Sequence, residues 1–159
     1  MTELAERRLA AIVAADVAGY SRLVGLDEEG TLLALRAHRR DLIDPLTDAH
    51  GGRLANTAGD SLLLEFRSAV DAVRWALAVQ QGMAARNGDV ERERRIVFRI
   101  GINSGDVIAQ GGDLLGDGVN VAARLQESAA PGGIAISRRV HEDIEDRIDI
   151  PFVDAGERT

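Results

Sequence analysis

Two aspartates stand where short apolar runs break off. Asp16 closes Leu9-Ala10-Ala11-Ile12-Val13-Ala14-Ala15-Asp16, and Asp60 lies in Asn56-Thr57-Ala58-Gly59-Asp60-Ser61, just ahead of Leu62-Leu63-Leu64-Glu65-Phe66. Paired carboxylates suit a hard divalent cation, which takes oxygen ligands and needs only one or two protein carboxylates when substrate phosphates complete its shell. Asn120 and Arg124 are one helical turn apart, so a helix there presents both on one side. A guanidinium in that place can neutralise charge developing on a phosphoryl group, and an amide can orient a ribose. The alternative is a surface arginine paired with Glu127 or another acid. Gly105, Gly111, Gly112, Gly116 and Gly118 would let backbone approach a phosphate, but they fit no Walker or dinucleotide fingerprint. His38, His50 and His141 lack the spacing of a zinc site. Phosphate chemistry is the first expectation.

The elements that must position these residues follow from periodicity. Leu9–Ala15 is short and continuously apolar, which predicts a strand buried on both faces. Leu32, Leu35, Leu42 and Leu46 recur near helical spacing, predicting a helix over Asp27–Ala49 that Pro45 kinks or shortens. Gly51-Gly52 ends it. Arg53–Phe66 reads as two strands joined by a Thr57–Gly59 turn. Ser68 and Asp71 resemble a capping box opening a second helix that runs to about Ala85. After the charged loop Asp89–Arg95, Ile96, Phe98, Ile100 and Ile102 alternate along a strand, and Val107-Ile108 continue it. A third helix follows Asp117-Gly118, and a strand Ile134–Ile136 and a fourth short helix follow Pro131-Gly132-Gly133. The fold class is α+β: a βαββαβ ferredoxin-like core with additional C-terminal helices and strands. In that unit the first and third strands are antiparallel neighbours, so Asp16 at the end of one meets Asp60 at the start of the other.

Composition narrows the classes. A chain of 159 residues supports one domain with a real core. A net charge of -7 excludes the basic footprint of a nucleic-acid surface, so no nucleic-acid partner is expected, whereas a nucleotide on a bound metal remains open. Cysteine is absent, which removes disulfides and thiolate sites. All 19 basic residues are arginine. Arg7-Arg8 ahead of an apolar run imitates a signal peptide, but Glu3 and Glu6 acidify the leader and Asp16 cuts the run short. No stretch is long enough to cross a bilayer, and a cytoplasmic, soluble domain is expected.

Taken together, Ala15-Asp16-Val17-Ala18-Gly19-Tyr20-Ser21, Asn56-Thr57-Ala58-Gly59-Asp60, Gly101-Ile102-Asn103-Ser104-Gly105, Gly116-Asp117-Gly118-Val119-Asn120-Val121-Ala122-Ala123-Arg124-Leu125 and Pro131-Gly132-Gly133-Ile134 resemble the class III adenylate/guanylate cyclase catalytic domain. The resemblance covers nearly the whole chain, in order, and is nearest to the bacterial branch whose cyclase domains often precede further modules. It implies the nucleotide cyclase fold and conversion of ATP to 3′,5′-cyclic AMP and pyrophosphate. It implies two Mg²⁺ or Mn²⁺ on Asp16, Asp60 and the Val17 carbonyl. Asn120 would position the ribose, Arg124 would stabilise the transition state, and Asp113 would read the adenine amino group. The site would form between two copies in a homodimer, the acids from one and Asn120 and Arg124 from the other. Two departures stand out. Asn56 occupies the place of a purine-reading lysine, and the chain ends at Gly156-Glu157-Arg158-Thr159, where the family continues into a last strand pair. The rival expectations are a cyclase-like module without catalysis, a guanylate cyclase and a diguanylate cyclase, whose signature Ala58-Gly59-Asp60-Ser61 imitates poorly.

Overall fold

The computed structural model describes residues 5–152, so the chain end at Gly156–Thr159 and the leading Glu3 lie outside the described residues. Six consecutive buried residues, Ala10 to Ala15, make β1 (Glu6–Val17) the central strand. It pairs antiparallel with β3 (Ser61–Phe66) on one side and with β4 (Phe98–Gln110) on the other. Burial begins one residue later than expected. Leu9 is 61% exposed because the β3 ladder stops at the Ala11–Phe66 pair and leaves the strand's first half uncovered.

The expected single helix over Asp27–Ala49 is three pieces: α2 (Glu28–His38), a π turn (Arg39–Ile43) and α3 (Asp44–Ala49). A seven-residue helix without a clear sequence signal, α1 (Tyr20–Leu26), precedes them. The Asp27 carboxylate accepts the Gly30 N–H at 2.9 Å and caps α2. Pro45 has no N–H, and its ring would clash with a carbonyl four residues back in an unbroken α-helix. The ladder therefore widens: the Asp44 N–H donates to the Arg39 carbonyl, and Pro45 falls in the first turn of α3, where no donor is required.

Strand β2 (Arg53–Ala58) joins β3 through Gly59-Asp60, two residues later than the turn expected at Thr57–Gly59. Gly59 takes φ 61°, which suits the first central position of a tight hairpin. Asp60 thus belongs to the turn itself. The Ser68 hydroxyl accepts the Asp71 N–H at 3.1 Å and opens α4 (Ala69–Arg86), which buries Trp75, Val73, Ala76 and Val79 against the sheet. Strand β5 (Asp113–Leu115), α5 (Asp117–Ser128), β6 (Ile134–Ile136) and α6 (Arg138–Ile144) follow among the described residues. The sheet order is β2-β3-β1-β4-β5, with β6 parallel to β4. That is the α+β ferredoxin-like arrangement with additions, as expected. Among the described residues no helix is long and apolar enough to cross a membrane.

Two cores flank the sheet. Val13, Leu64, Phe66, Phe98 and Ile100 face α4, while Ala10, Ile12, Ala14, Val107 and Leu114 face the side where α5 brings Ala122. Gly101 of β4 sets how closely α5 sits. A methyl there would run into the Ala122 carbonyl oxygen and the Gln126 amide nitrogen, both backbone atoms that cannot rotate away. Gly101→Ala should therefore lift α5 and destabilise the chain by about 1–3 kcal/mol, the usual cost of overpacking. The urea midpoint measures it, and an unchanged midpoint would show that α5 is not held by backbone contact.

Candidate active site

The antiparallel β1–β3 pairing brings the end of one strand to the turn that begins the other. The Asp60 carboxylate accepts the Val17 N–H at 3.0 Å. In an extended strand the N–H and C=O of one residue point to the same edge, so this bond also turns the Val17 carbonyl towards Asp60. Asp16 is the preceding residue and is half-buried. These donors are all oxygen, which fits a hard divalent cation. Among the described residues no cluster of three or more His, Cys, Asp or Glu forms, so a cation here depends on ligands from a substrate.

Asp16 already has a partner. In register across the β1–β4 ladder stands Arg99, whose Nε donates to Asp16 Oδ1 at 3.0 Å and whose Nη2 donates to Oδ2 at 2.7 Å. Its Nη1 donates to the Glu127 carbonyl of α5 at 3.4 Å. The hydrogen bonds to Asp16 hold the guanidinium more firmly protonated than usual, with smaller contributions from Glu127 and Asp60. Sequence reasoning passed over Arg99. The available signal was its place in Ile96-Val97-Phe98-Arg99-Ile100, where alternation turns it away from the main core.

Helix α5 begins at Gly116 with φ 120°, and the Asn103 side chain of β4 donates to the Gly118 carbonyl at 3.2 Å, tying the helix start to the sheet. Asn120 and Arg124 are both exposed. Arg124 makes no salt bridge among the described residues, so its pairing with Glu127 is not found. Asn56 and Asp113 do come together, Asn56 Nδ2 donating to Asp113 Oδ1 at 3.5 Å, while that same oxygen accepts the Leu114 N–H at 2.8 Å. A cavity of about 190 Å³ opens beside Asn56, walled by Ala14, Leu63, Val119 and Ala123 and reached by Gln126. The buried Gln126 Nε2 has no hydrogen-bond partner among the described residues.

The comparisons with known proteins agree on one family. The model of the family described as "Adenylate and Guanylate cyclase catalytic domain" matches residues 5–158. A Rhizobium meliloti (strain 1021) protein named as a candidate adenylate cyclase is 51% identical over 154 residues, covering 97% of this chain and 26% of the relative. A Streptomyces coelicolor protein named adenylate cyclase is 32% identical over 154 residues, covering 97% of this chain and 39% of that one. The chain thus spans well under half the length of these curated relatives. A crystal structure described as an adenylate/guanylate cyclase/hydrolase from Silicibacter pomeroyi superimposes with a TM-score of 0.90 at 48% identity, covering 96% of this chain and 89% of that one.

Arg99 engages both oxygens of Asp16, so a cation binding there would compete with a charged fork for the same carboxylate. Arg99→Gln should tighten Mn²⁺ binding in the absence of nucleotide by roughly three- to tenfold, the lower part of what charged hydrogen bonds contribute. Titration calorimetry reads the change. Equal or weaker Mn²⁺ binding by the variant would mean that Arg99 does not compete for Asp16.

Proposed function

The chain belongs to the adenylate and guanylate cyclase catalytic domain family, and on that premise we propose that it converts ATP to 3′,5′-cyclic AMP and pyrophosphate at a site shared by two copies. One observation carries the reading: the carboxylates of Asp16 and Asp60 gather with the Val17 backbone at one end of β1, while Asn120 and Arg124 stand free on α5. Asp16, Asp60 and the Val17 carbonyl would hold two Mg²⁺ or Mn²⁺. Such cations, when bound, lower the pKa of the ribose 3′ hydroxyl and stabilise charge on the α-phosphate.

The chain's own side chains supply the rest. Asn120 orients the ribose so that its 3′ oxygen faces the α-phosphorus, which converts attack into a positioned intramolecular step. Arg124, with no carboxylate partner among the described residues, places its guanidinium on the phosphoryl oxygens as their charge grows. Asn56 and Asp113 read the purine edge, and the apolar cavity beside Asn56 suits a flat ring. The Asp113 carboxylate only accepts, so it favours the adenine amino group over the guanine carbonyl. The names of the Rhizobium and Streptomyces relatives support the same substrate. Asn56 favours one second reading, because its amide can donate as well as accept and so tolerates guanine.

Incubation with Mn²⁺ and ATP or GTP, followed by product identification, tests the reading. Cyclic AMP from ATP is expected; cyclic GMP as the main product would overturn the base assignment, and no cyclic product from the full-length protein would overturn catalysis.

The shared site has its own test. Asp60→Asn and Arg124→Ala homodimers should each lose nearly all activity, and mixing them should restore it, because one site of each heterodimer receives both intact halves. Verified subunit exchange without recovery would place the whole site within one copy.

A further inference from the structure

Asn56 on β2 and Asp113 on β5 stand at opposite ends of the five-strand path and share no ladder. Their side chains nevertheless approach to 3.5 Å, which means that the sheet curls until its two ends face each other. Coiling is an ordinary property of sheets, but it does not fix a distance between non-neighbouring strands.

A second contact between the same two strand ends does. Arg53, three residues before Asn56, donates from Nη1 to the Gly112 carbonyl at 2.6 Å, and Gly112 immediately precedes Asp113. A β-bulge between Leu54 and Asn56 is what lets Arg53 and Asn56 share the concave face. Without the extra residue, their odd spacing would put them on opposite faces. On the other strand, Gly111 and Gly112 carry φ 61° and 84° in a two-residue turn whose last pair is Gln110–Asp113. Positive φ at both turn positions matches the tight hairpin that follows sheet twist, so the carbonyl Arg53 meets is rigidly presented.

Arg53 is itself anchored. Glu65 Oε1 accepts its Nε at 3.2 Å and its Nη2 at 2.8 Å, and the same carboxylate accepts Arg8 Nε and Nη2, each at 2.7 Å. The Arg8 fork, more than any other contact, holds the Glu65 carboxyl below the usual carboxylate range. Arg8 gives its remaining nitrogen to Glu6 at 3.1 Å, while Arg53 keeps Nη1 for the Gly112 carbonyl. A bidentate fork also freezes the long Arg53 side chain before it reaches across.

Resting on the purine-reading roles proposed above for Asn56 and Asp113, we infer that Arg53 is a positioning residue for base selection. Clamped by Glu65, it latches the β4–β5 turn to β2 and holds Asp113 where it meets the purine edge.

The test is a double-mutant cycle read as the ratio of specificity constants for ATP and GTP in the full-length protein. Asp113→Ala should lower the ratio by roughly tenfold, and Arg53→Ala by roughly fivefold, both within what charged hydrogen bonds contribute. In the Asp113→Ala background, Arg53→Ala should change the ratio by less than about twofold, because residues acting through one contact are not additive. Loss of fold or of general activity moves both nucleotides together and leaves the ratio alone. An unchanged ratio in Asp113→Ala would overturn the base-reading premise and the latch with it. A lowered ratio in Asp113→Ala with none in Arg53→Ala, or full additivity, would overturn the latch alone. Should Arg53→Ala fail to fold, Arg53→Lys is carried through the same cycle. It keeps the charge and the stem but cannot grip Glu65 and Gly112 together as a fork does, and the same outcomes decide.

Discussion

Everything the site requires hangs on the double pairing of β1. The strand is hydrogen-bonded to β4 along its whole length, from Glu6–Ala109 to Val17–Phe98, and to β3 over Ala11–Ala15. Because both ladders are antiparallel, the end of β1 carrying Asp16 coincides with the β3 end carrying Asp60 and the β4 end carrying Arg99. Three charged residues far apart in sequence thus collect at one corner, brought there by the pairing of their strand neighbours. A one-residue slip of β1 would turn every one of its side chains to the opposite face. The register is protected by the apolar content of the strand, since Ile12 and Val13 are wholly buried on opposite faces and neither tolerates the exchange.

The second constraint is the difference between those two faces. The α4 side carries the large core and supplies most of the buried area, so it can hold the sheet without help. The other side has a smaller core in which half of the buried residues are alanine, closed by one helix lying close on Gly101. Small side chains there are not a weakness of packing. They let the α5 backbone approach, and that approach places Asn120 and Arg124 at a fixed height above the sheet. Stability is concentrated on one face and positioning on the other.

Local patterns made the skeleton legible. The apolar run ending at Asp16, the alternation through Ile96–Ile102 and the Ser68 cap each express a short-range rule, and each element formed, although β1 extends over Glu6–Val17 and β4 begins only at Phe98. The motif residues Asn120 and Arg124 fell on one helix for the same reason. What stayed hidden depends on relations between strands. The bulge at Ala55 has no signature in its own residues; it is visible only as a register shift against β3. Arg99 reads as one more charge on a strand until β1 is laid beside it. The π turn is intermediate: Pro45 announced a disturbance, but whether the helix would end, kink or widen depended on α2 and α3 both packing on the same core.

Electrostatics then gives the arginine-only composition a physical consequence. A lysine is a mobile point charge, whereas the planar guanidinium engages two oxygens at once and fixes direction. At Asp16 the fork neutralises a carboxylate that stands beside Val17, whose N–H the Asp60 carboxylate accepts. At Glu65 two guanidiniums converge on one carboxylate, Arg8 reaching Glu6 as well, and Arg53 keeps one nitrogen for a backbone carbonyl. The two clusters share a design but differ in what can displace them. A divalent cation at the Asp16 corner would share that carboxylate with Arg99. Glu65 is more buried and doubly held, and its network faces a neutral carbonyl, so nothing that binds at the Asp16 corner relieves it. One arginine pair closes the end of β1, and the other ties β1, β3 and β2 together.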